Sequence, residues 1–157
     1  MVHYMKEEIK SWGLPKVLKD INVIYRFNEN KIGEESAKFW LIDSNTEEEL
    51  FVFDFFEIPL KNRFINDKRK IMNIQFICVL SPEFRNNGIA TYYLDKLKEY
   101  VVKNNFDVFR LEAAIQKNIN PTNALKIDKL AQFYIDILSD DKMDKPAVYV
   151  NYKNINE

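Results

Sequence analysis

The sequence predicts a single mixed α/β domain, with a mostly antiparallel central sheet and helices packed against it. Segments in which apolar and polar residues alternate precede residue 60, as expected of half-buried strands. After residue 70, strand-like and helix-like segments follow each other in turn. The chain has 157 residues, 46% of them hydrophobic, with 12 Phe and 8 Tyr, so it is long and apolar enough to bury a core. We find no internal repeat and no linker, and therefore expect one domain over residues 1–157.

The first part of the chain predicts one helix followed by three antiparallel strands. The helix covers Val2–Ser11 and opens an N-terminal segment, residues 1–20, because Gly13 and Pro15 then interrupt it. Asn28–Gly33 has the composition of a hairpin turn between the first two strands. The three strands are Ile21–Phe27, Glu35–Asp43 and the aromatic Leu50–Ile58.

The second part predicts strand, helix, strand, helix and strand after a basic loop, Pro59–Lys68. The fourth strand is mostly apolar, which is typical of a central strand covered on both faces. In each of the two helices, apolar residues recur at helical spacing and form a stripe along one side of that helix. The predicted elements are strand Ile71–Leu80, helix Gly88–Lys103, strand Phe106–Ala114, helix Ala124–Leu138 and strand Pro146–Tyr152.

Composition excludes several classes of function. The net charge is -1 and the basic residues are spread out, so we expect no nucleic-acid partner. Cys78 is the single cysteine and His3 the single histidine, so we expect neither a disulfide framework nor a metal site. The start, MVHYMKEEIK, does not have the pattern of a signal peptide, and no apolar run has membrane-spanning length. These observations predict a cytoplasmic protein without a membrane partner.

A short polar loop between the fourth strand and the following helix has the chemistry of a phosphate site. The first turn of a helix presents backbone N–H groups without helical partners at the positive end of its dipole. Gly88 has no Cβ and lets an anion approach the backbone, while Arg85 adds a permanent positive charge. The predicted binding residues are Arg85, Asn86, Asn87, Gly88, Ile89, Ala90 and Thr91.

With a strand before it and a helix after it, this Arg-x-x-Gly-x-Ala segment resembles the GNAT superfamily of acyl-CoA-dependent N-acyltransferases. That family has an [Arg/Gln]-x-x-Gly-x-[Gly/Ala] loop here, which binds the pyrophosphate of coenzyme A. The resemblance implies a GNAT-type sheet in which strands four and five splay apart to admit the pantetheine arm. It also implies acetyl-CoA as co-substrate, with residues 71–134 as the acyl-CoA and catalytic core. The backbone of Cys78, Val79 and Leu80 would pair with the arm.

The same resemblance indicates two catalytic residues. Tyr134 follows Phe133 in KLAQFYIDIL, like the aromatic–Tyr pair whose hydroxyl serves many family members as general acid; otherwise it is one more core aromatic. Glu112 lies in RLEA, similar to the Leu-x-Leu-Glu segment that carries the general base in some protein N-acetyltransferases. The other interpretation is a solvent-facing Glu112 paired with Arg110 or a lysine, with water as the proton relay. The family's asparagine after the fifth strand corresponds to Asn118, Asn120 or Asn123, and spacing does not choose among them.

Two departures from the family pattern bear on the acceptor. The Gly-Phe that commonly follows the tyrosine helix is absent, and Ser139 and the acidic residues after it stand there. Residues 28–34, between the first two predicted strands, are too few for the helices that usually cover the acceptor site. We therefore expect an open site and a protein lysine or N-terminus as the amine acceptor. The alternative is a non-catalytic GNAT-fold module that binds acyl-CoA or a protein partner. A monomer and a homodimer fit the sequence equally.

Overall fold

The computed structural model describes residues 2–28, 37–62, 64, 66–113, 127–139 and 145–152. These residues form one six-stranded sheet and three α-helices, as the sequence predicted. The strands are β1 (Val23–Phe27), β2 (Phe39–Asp43), β3 (Glu49–Glu57), β4 (Ile71–Val79), β5 (Val108–Ala113) and β6 (Ala147–Tyr152). The helices are α1 (Val2–Ser11), α2 (Ile89–Lys103) and α3 (Ile127–Leu138).

The sheet has its strands in chain order, from β1 at one edge to β6 at the other. The pairs from β1 to β4 are antiparallel, whereas β4–β5 and β5–β6 are parallel. Each parallel pair requires a crossover connection, and α2 and α3 lie in those two connections. The mixed, mostly antiparallel sheet predicted from the sequence is thereby confirmed.

All three helices pack on the same face of the sheet. Trp12, just after α1, stacks on Phe55 of β3 with ring centroids 6.0 Å apart. Tyr93 of α2 stacks on Phe51 of the same strand at 5.1 Å. From α2, Lys98 Nζ donates to the Ile137 carbonyl at 3.2 Å and so joins this helix to α3. The aromatic side chains of β3, Phe51, Phe53 and Phe55, therefore form the centre of the core.

Several predicted boundaries are wrong by a few residues. β1 begins at Val23 rather than Ile21, because the Ile21 N–H bonds to the Leu18 carbonyl in a turn. β5 begins at Val108 rather than Phe106, because the Phe106 N–H bonds back to the end of α2. β2 begins at Phe39, so the connection from β1 spans residues 28–38 and is longer than predicted. Residues 29–36, which include the predicted hairpin turn apart from Asn28, lie outside the described residues. The remaining boundaries differ slightly from the prediction. β3, β4 and β6 differ by one residue at one or both ends, and α2 begins one residue later. β5 is described up to Ala113 and α3 from Ile127.

Three tyrosine hydroxyls fasten the N-terminal segment to the sheet and to α2. Tyr25 of β1 and Tyr93 of α2 both donate to the Gly13 carbonyl, at 3.2 and 3.1 Å. Tyr92 donates to the neighbouring carbonyl of Trp12. Gly13 has a φ of 73°, which favours glycine at this turn. The turn after α1 is thus held directly against the first turn of α2.

Candidate functional site

The centre of the sheet contains a gap between two parallel strands. β4 and β5 pair from Ile71 opposite Val108 only as far as Ile74 opposite Leu111. β4 then continues to Val79, and its register against β3 shifts opposite the Asp54–Phe55 step. Within the described residues, the part of β4 after Ile74 therefore has no ladder with β5. We call this gap the slot, and it confirms the predicted splaying of strands four and five.

The backbone of β4 along the slot alternates in direction. The Leu80 N–H donates to the Leu50 carbonyl at 2.9 Å, so this donor points toward β3. In an antiparallel ladder, successive residues direct their backbone N–H and C=O groups to opposite sides of the strand. Because those of Leu80 face β3, the N–H and C=O groups of Val79 and Ile77 face the slot. Of Cys78, Val79 and Leu80, it is Val79 that offers its N–H to the slot. Ile77 was not singled out from the sequence, because the register that decides this direction is not visible there.

The loop that follows β4 bends sharply before α2 begins. Asn86 and Gly88 have φ values of 63° and 83°, and both are in the left-handed region. The Asn87 side-chain amide donates to the carbonyls of Glu83 at 3.3 Å and Arg85 at 2.9 Å. A Cβ at Gly88 would meet nothing within 4 Å, so the glycine serves the backbone angle and the space above it is open.

The start of α2 presents several backbone donors to this open space. The Tyr92 N–H bonds to the Gly88 carbonyl at 2.9 Å and is the first bond of the helical pattern. The N–H groups of Ile89, Ala90 and Thr91 precede it and have no helical acceptor by geometry. A left-handed residue followed by right-handed ones directs successive N–H groups to a common point, where they bind anions. Ile89 contributes only its backbone, since its side chain is buried in the core.

Arg85 lies beneath this loop, with 8% of its surface exposed. Its Nε donates to the Val79 carbonyl at 3.1 Å and connects the loop to the strand edge at the slot. Burial raises the pKa of the neighbouring Cys78 thiol, and the positive charge of Arg85 partly opposes that rise. Cys78 is therefore a protonated thiol at neutral pH.

Tyr134 lies on α3 and is 6% exposed, in contact with the ring of Phe133 at a centroid distance of 5.7 Å. Burial raises the pKa of its phenol well above the usual value, and Cys78 adds to the rise. The hydroxyl consequently keeps its proton throughout the physiological range. Such a group is suited to donate a proton or a hydrogen bond.

Glu112 lies on β5 directly after Leu111, which is buried in the core on the helix-covered face. Because successive side chains of a strand point to opposite faces, Glu112 is on the other face of the sheet, and it is exposed. The structure thus places Tyr134 and Glu112 on opposite faces of the sheet. Asn118, Asn120 and Asn123 lie outside the described residues.

Comparison with known proteins gives similarity at the level of structure. No protein-family profile and no curated protein matches the chain. A tetramutant of the BH1408 protein from Bacillus halodurans is similar with 16% identity and a TM-score of 0.46, over 90% of this chain and 83% of that one. A probable acetyltransferase is similar with 13% identity and a TM-score of 0.42, over 69% and 64% of the two chains. An aminoglycoside acetyltransferase, meta-AAC0020 from an uncultured soil metagenomic sample, solved with sisomicin, has 9% identity and a TM-score of 0.44, over 96% and 90%. The solved structures that resemble this chain thus include acetyltransferases.

Two further properties concern the described part of the chain. None of its helices is both long enough and apolar enough to cross a bilayer. No three of its His, Cys, Asp or Glu side chains are grouped as a metal site would require.

Proposed function

We propose that this chain is an N-acetyltransferase that transfers an acetyl group from acetyl-CoA to a primary amine of a protein, a lysine or an N-terminus. One observation carries the proposal: the slot between β4 and β5 opens beside the N-terminus of α2. This arrangement combines an unpaired strand edge with a group of N–H donors. An extended, amide-bearing arm with a pyrophosphate at one end needs both.

The dimensions and donors of the slot suit such an arm. β4 beyond Ile74 offers five residues of strand edge, about 16 Å at the usual rise per residue. The Val79 N–H would pair with an amide of the arm as a strand partner would. The N–H groups of Ile89, Ala90 and Thr91 would hold the pyrophosphate, since they lie at the positive end of α2. Arg85 would support them by its charge and by holding the loop to the strand.

Acetyl transfer requires two proton transfers, and we assign them to Tyr134 and Glu112, which lie on opposite faces of the sheet. When bound, acetyl-CoA supplies the activated thioester, so the protein must take a proton from the amine and give one to the departing thiolate. Tyr134 would hold the donated proton, because burial keeps its hydroxyl protonated. Glu112 would accept the amine proton, directly or through water. The slot is a gap through the sheet, so groups on opposite faces border it and serve the two transfers from opposite sides.

The acceptor proposed is a protein amine because the connection from β1 to β2, residues 28–38, is short for helices that would enclose a small acceptor, and because the residues near the slot suit a cation. Glu47 and Glu48 are exposed in the β2–β3 turn, at the same end of the sheet as the end of β4. Their negative charge would favour a cationic lysine or N-terminus. A screen of free amines against proteins, with release of CoA thiol as signal, tests this. Rapid turnover of a polyamine or an aminoglycoside, with no protein labelled, would contradict the protein acceptor and leave acetyl transfer supported.

A non-catalytic acyl-CoA-binding module is the second candidate, favoured by the position of Glu112 on the face opposite Tyr134. Calorimetric titration with acetyl-CoA and with CoA, followed by the thiol-release screen, separates the two. Binding in the micromolar range, on the order of -8 kcal/mol, together with thiol release supports the enzyme. Binding with no release for any amine or protein supports the module. Absence of binding contradicts both.

A further inference from the structure

The end of the sheet remote from the slot has its own surface, which we call the basal end. It consists of the described residues of the β3–β4 connection, 59–62, 64 and 66–70, together with Lys103 at the end of α2, Asp107 before β5 and Lys145 before β6. These segments meet because β4, β5 and β6 begin side by side, with Ile71 opposite Val108 and Val108 opposite Ala147. The Ile58 N–H bonds to the Ile71 carbonyl at 3.0 Å and closes the base of the connection.

Two large apolar side chains project from this connection into solvent. Phe64 is 90% exposed and Leu60 is 71% exposed, whereas the phenylalanines of the core are almost completely buried. The described neighbours Lys61, Asn62 and Asn66 are also exposed, and short turns shape the connection: the Asn62 N–H bonds to the Pro59 carbonyl and the Asp67 N–H to the Phe64 carbonyl. Leu60 and Phe64 are the most exposed large apolar side chains among the described residues.

Basic residues surround these apolar side chains. Lys61, Lys68, Lys103 and Lys145 are exposed at the basal end. Among the described residues at this end, Asp67 forms an ion pair with Arg69 at 2.9 Å and Asp107 with Lys145 at 2.7 Å, and Glu57 at the end of β3 is a third carboxylate. Lysines and arginines therefore outnumber carboxylates among the described residues of the basal end.

The described residues of the slot end have the opposite sign of charge. Glu47 and Glu48 in the β2–β3 turn and Glu83 beside the start of α2 are exposed there. Lys16 and Lys19 also lie toward that end, near the start of β1, without outnumbering the carboxylates. The described residues at the two ends of the strands thus carry opposite net charges.

We propose that the basal end docks on the surface of an anionic lipid bilayer. Phe64 and Leu60 enter the interface between head groups and acyl chains, and the lysines lie over the anionic head groups. The basic groups come from three connections at one end of the sheet, so a flat charged surface meets all of them together. An acidic peptide would contact only some of these basic groups. The exposed apolar side chains also suit the lipid interface, where acyl chains can rearrange around them.

The position of the basal end also determines the orientation of docking. The slot lies at the opposite end of β4, so it faces away from the bilayer when the basal end is bound. The site stays accessible to solutes and proteins while the chain is bound. The expectation of no membrane partner rested on the absence of a spanning segment, and surface docking requires none. The proposal is independent of acetyl transfer.

Sedimentation with vesicles tests the docking. Vesicles of equal parts phosphatidylserine and phosphatidylcholine are compared with vesicles of phosphatidylcholine alone. We expect binding to the anionic vesicles only, decreasing with added salt. The double variant Lys61→Gln, Lys68→Gln should weaken binding about 25-fold, roughly fivefold for each lysine. Phe64→Ser should weaken it severalfold, with unchanged thermal unfolding because the side chain is exposed.

Matched controls stand at other positions of the chain. Lys16→Gln with Lys19→Gln removes the same charge at the slot end and should leave vesicle binding unchanged. Ile24→Ser removes an exposed apolar residue of β1 and should also have no effect. The proposal is overturned if neither vesicle binds, if both bind equally, or if the control pair weakens binding as much as the basal pair. Binding to soluble polyglutamate with no binding to vesicles overturns it in favour of an acidic protein partner.

Discussion

Arg85 donates its Nε to the carbonyl oxygen of Val79 at 3.1 Å and thereby joins the loop before α2 to the last residue of β4. The sequence motif suggested a side chain reaching outward to a phosphate. In the structure this guanidinium is largely buried and holds the strand edge and the helix N-terminus in a defined relation. Its first role is to position the two donor-bearing segments.

Arg85→Ala should therefore weaken both folding and ligand binding. Loss of a hydrogen bond from a charged group costs about 1.5–3 kcal/mol, which denaturant unfolding measures. Acetyl-CoA affinity should decrease about tenfold, as expected for 1.4 kcal/mol, since the backbone N–H groups remain. Lys129→Ala, at an exposed position of α3, is the control. Wild-type affinity in the variant would remove Arg85 from the site.

Gly88→Glu should nearly abolish acetyl-CoA binding while the chain stays folded. The new side chain enters open space, so it adds no clash with the protein, but it places a negative charge where the pyrophosphate is proposed to lie. The left-handed angle costs about 1–2 kcal/mol for a residue with a Cβ. Gly88→Asn is the matched control, because asparagine tolerates that angle without charge. Calorimetry should find binding by the Asn variant and little by the Glu variant. Equal binding by both would contradict the phosphate loop.

Tyr134→Phe should retain acetyl-CoA binding and lower turnover by about 10²-fold, the usual contribution of one positioned acid. The ring and its packing are kept, so a change in kcat reports the hydroxyl alone. Tyr100→Phe, on the opposite end of α2 from the loop, is the control. If turnover with a true acceptor is unchanged, Tyr134 is a core residue only.

Glu112→Gln should flatten the acidic limb of the rate–pH profile, because the substituted amide cannot accept the amine proton. Its exposed position predicts little change in thermal unfolding. Glu99→Gln, an exposed glutamate on α2, is the matched control. An unaltered profile in the Glu112 variant would indicate that water carries the proton.

Stability should decrease at alkaline pH because of two buried tyrosines. Burial raises the pKa of both Tyr93 and Tyr134 above the unfolded value of about 10. Above that pH the unfolded chain loses these protons while the folded chain retains them, so the free energy of unfolding falls as pH rises. The loss is about 1.4 kcal/mol per pH unit for each group. Denaturant unfolding from pH 9 to 11 should show a smaller slope for Tyr134→Phe than for wild type; an equal slope would contradict the burial of its hydroxyl.

Local patterns were sufficient for most of the fold. Alternation identified the strands, and the helical stripe with Gly88 before it identified α2, because both periods depend on residues close in the chain. The Arg-x-x-Gly-x-Ala segment likewise located the loop, since the left-handed angle at Gly88 favours glycine. The strand starts at Val23 and Val108 were missed, because backbone bonds in preceding turns decided them and not side-chain polarity.

Relations between distant segments were decided by tertiary structure. The point at which β4 leaves β5, the inward direction of Val79 and the separation of Tyr134 from Glu112 by the sheet all follow from strand register. The hydrogen bonds from the Tyr25 and Tyr93 hydroxyls to the Gly13 carbonyl also join residues far apart in the chain. Periodicity tells which side chains share a face of one element, whereas pairing with a distant partner fixes which way that face and its backbone groups point.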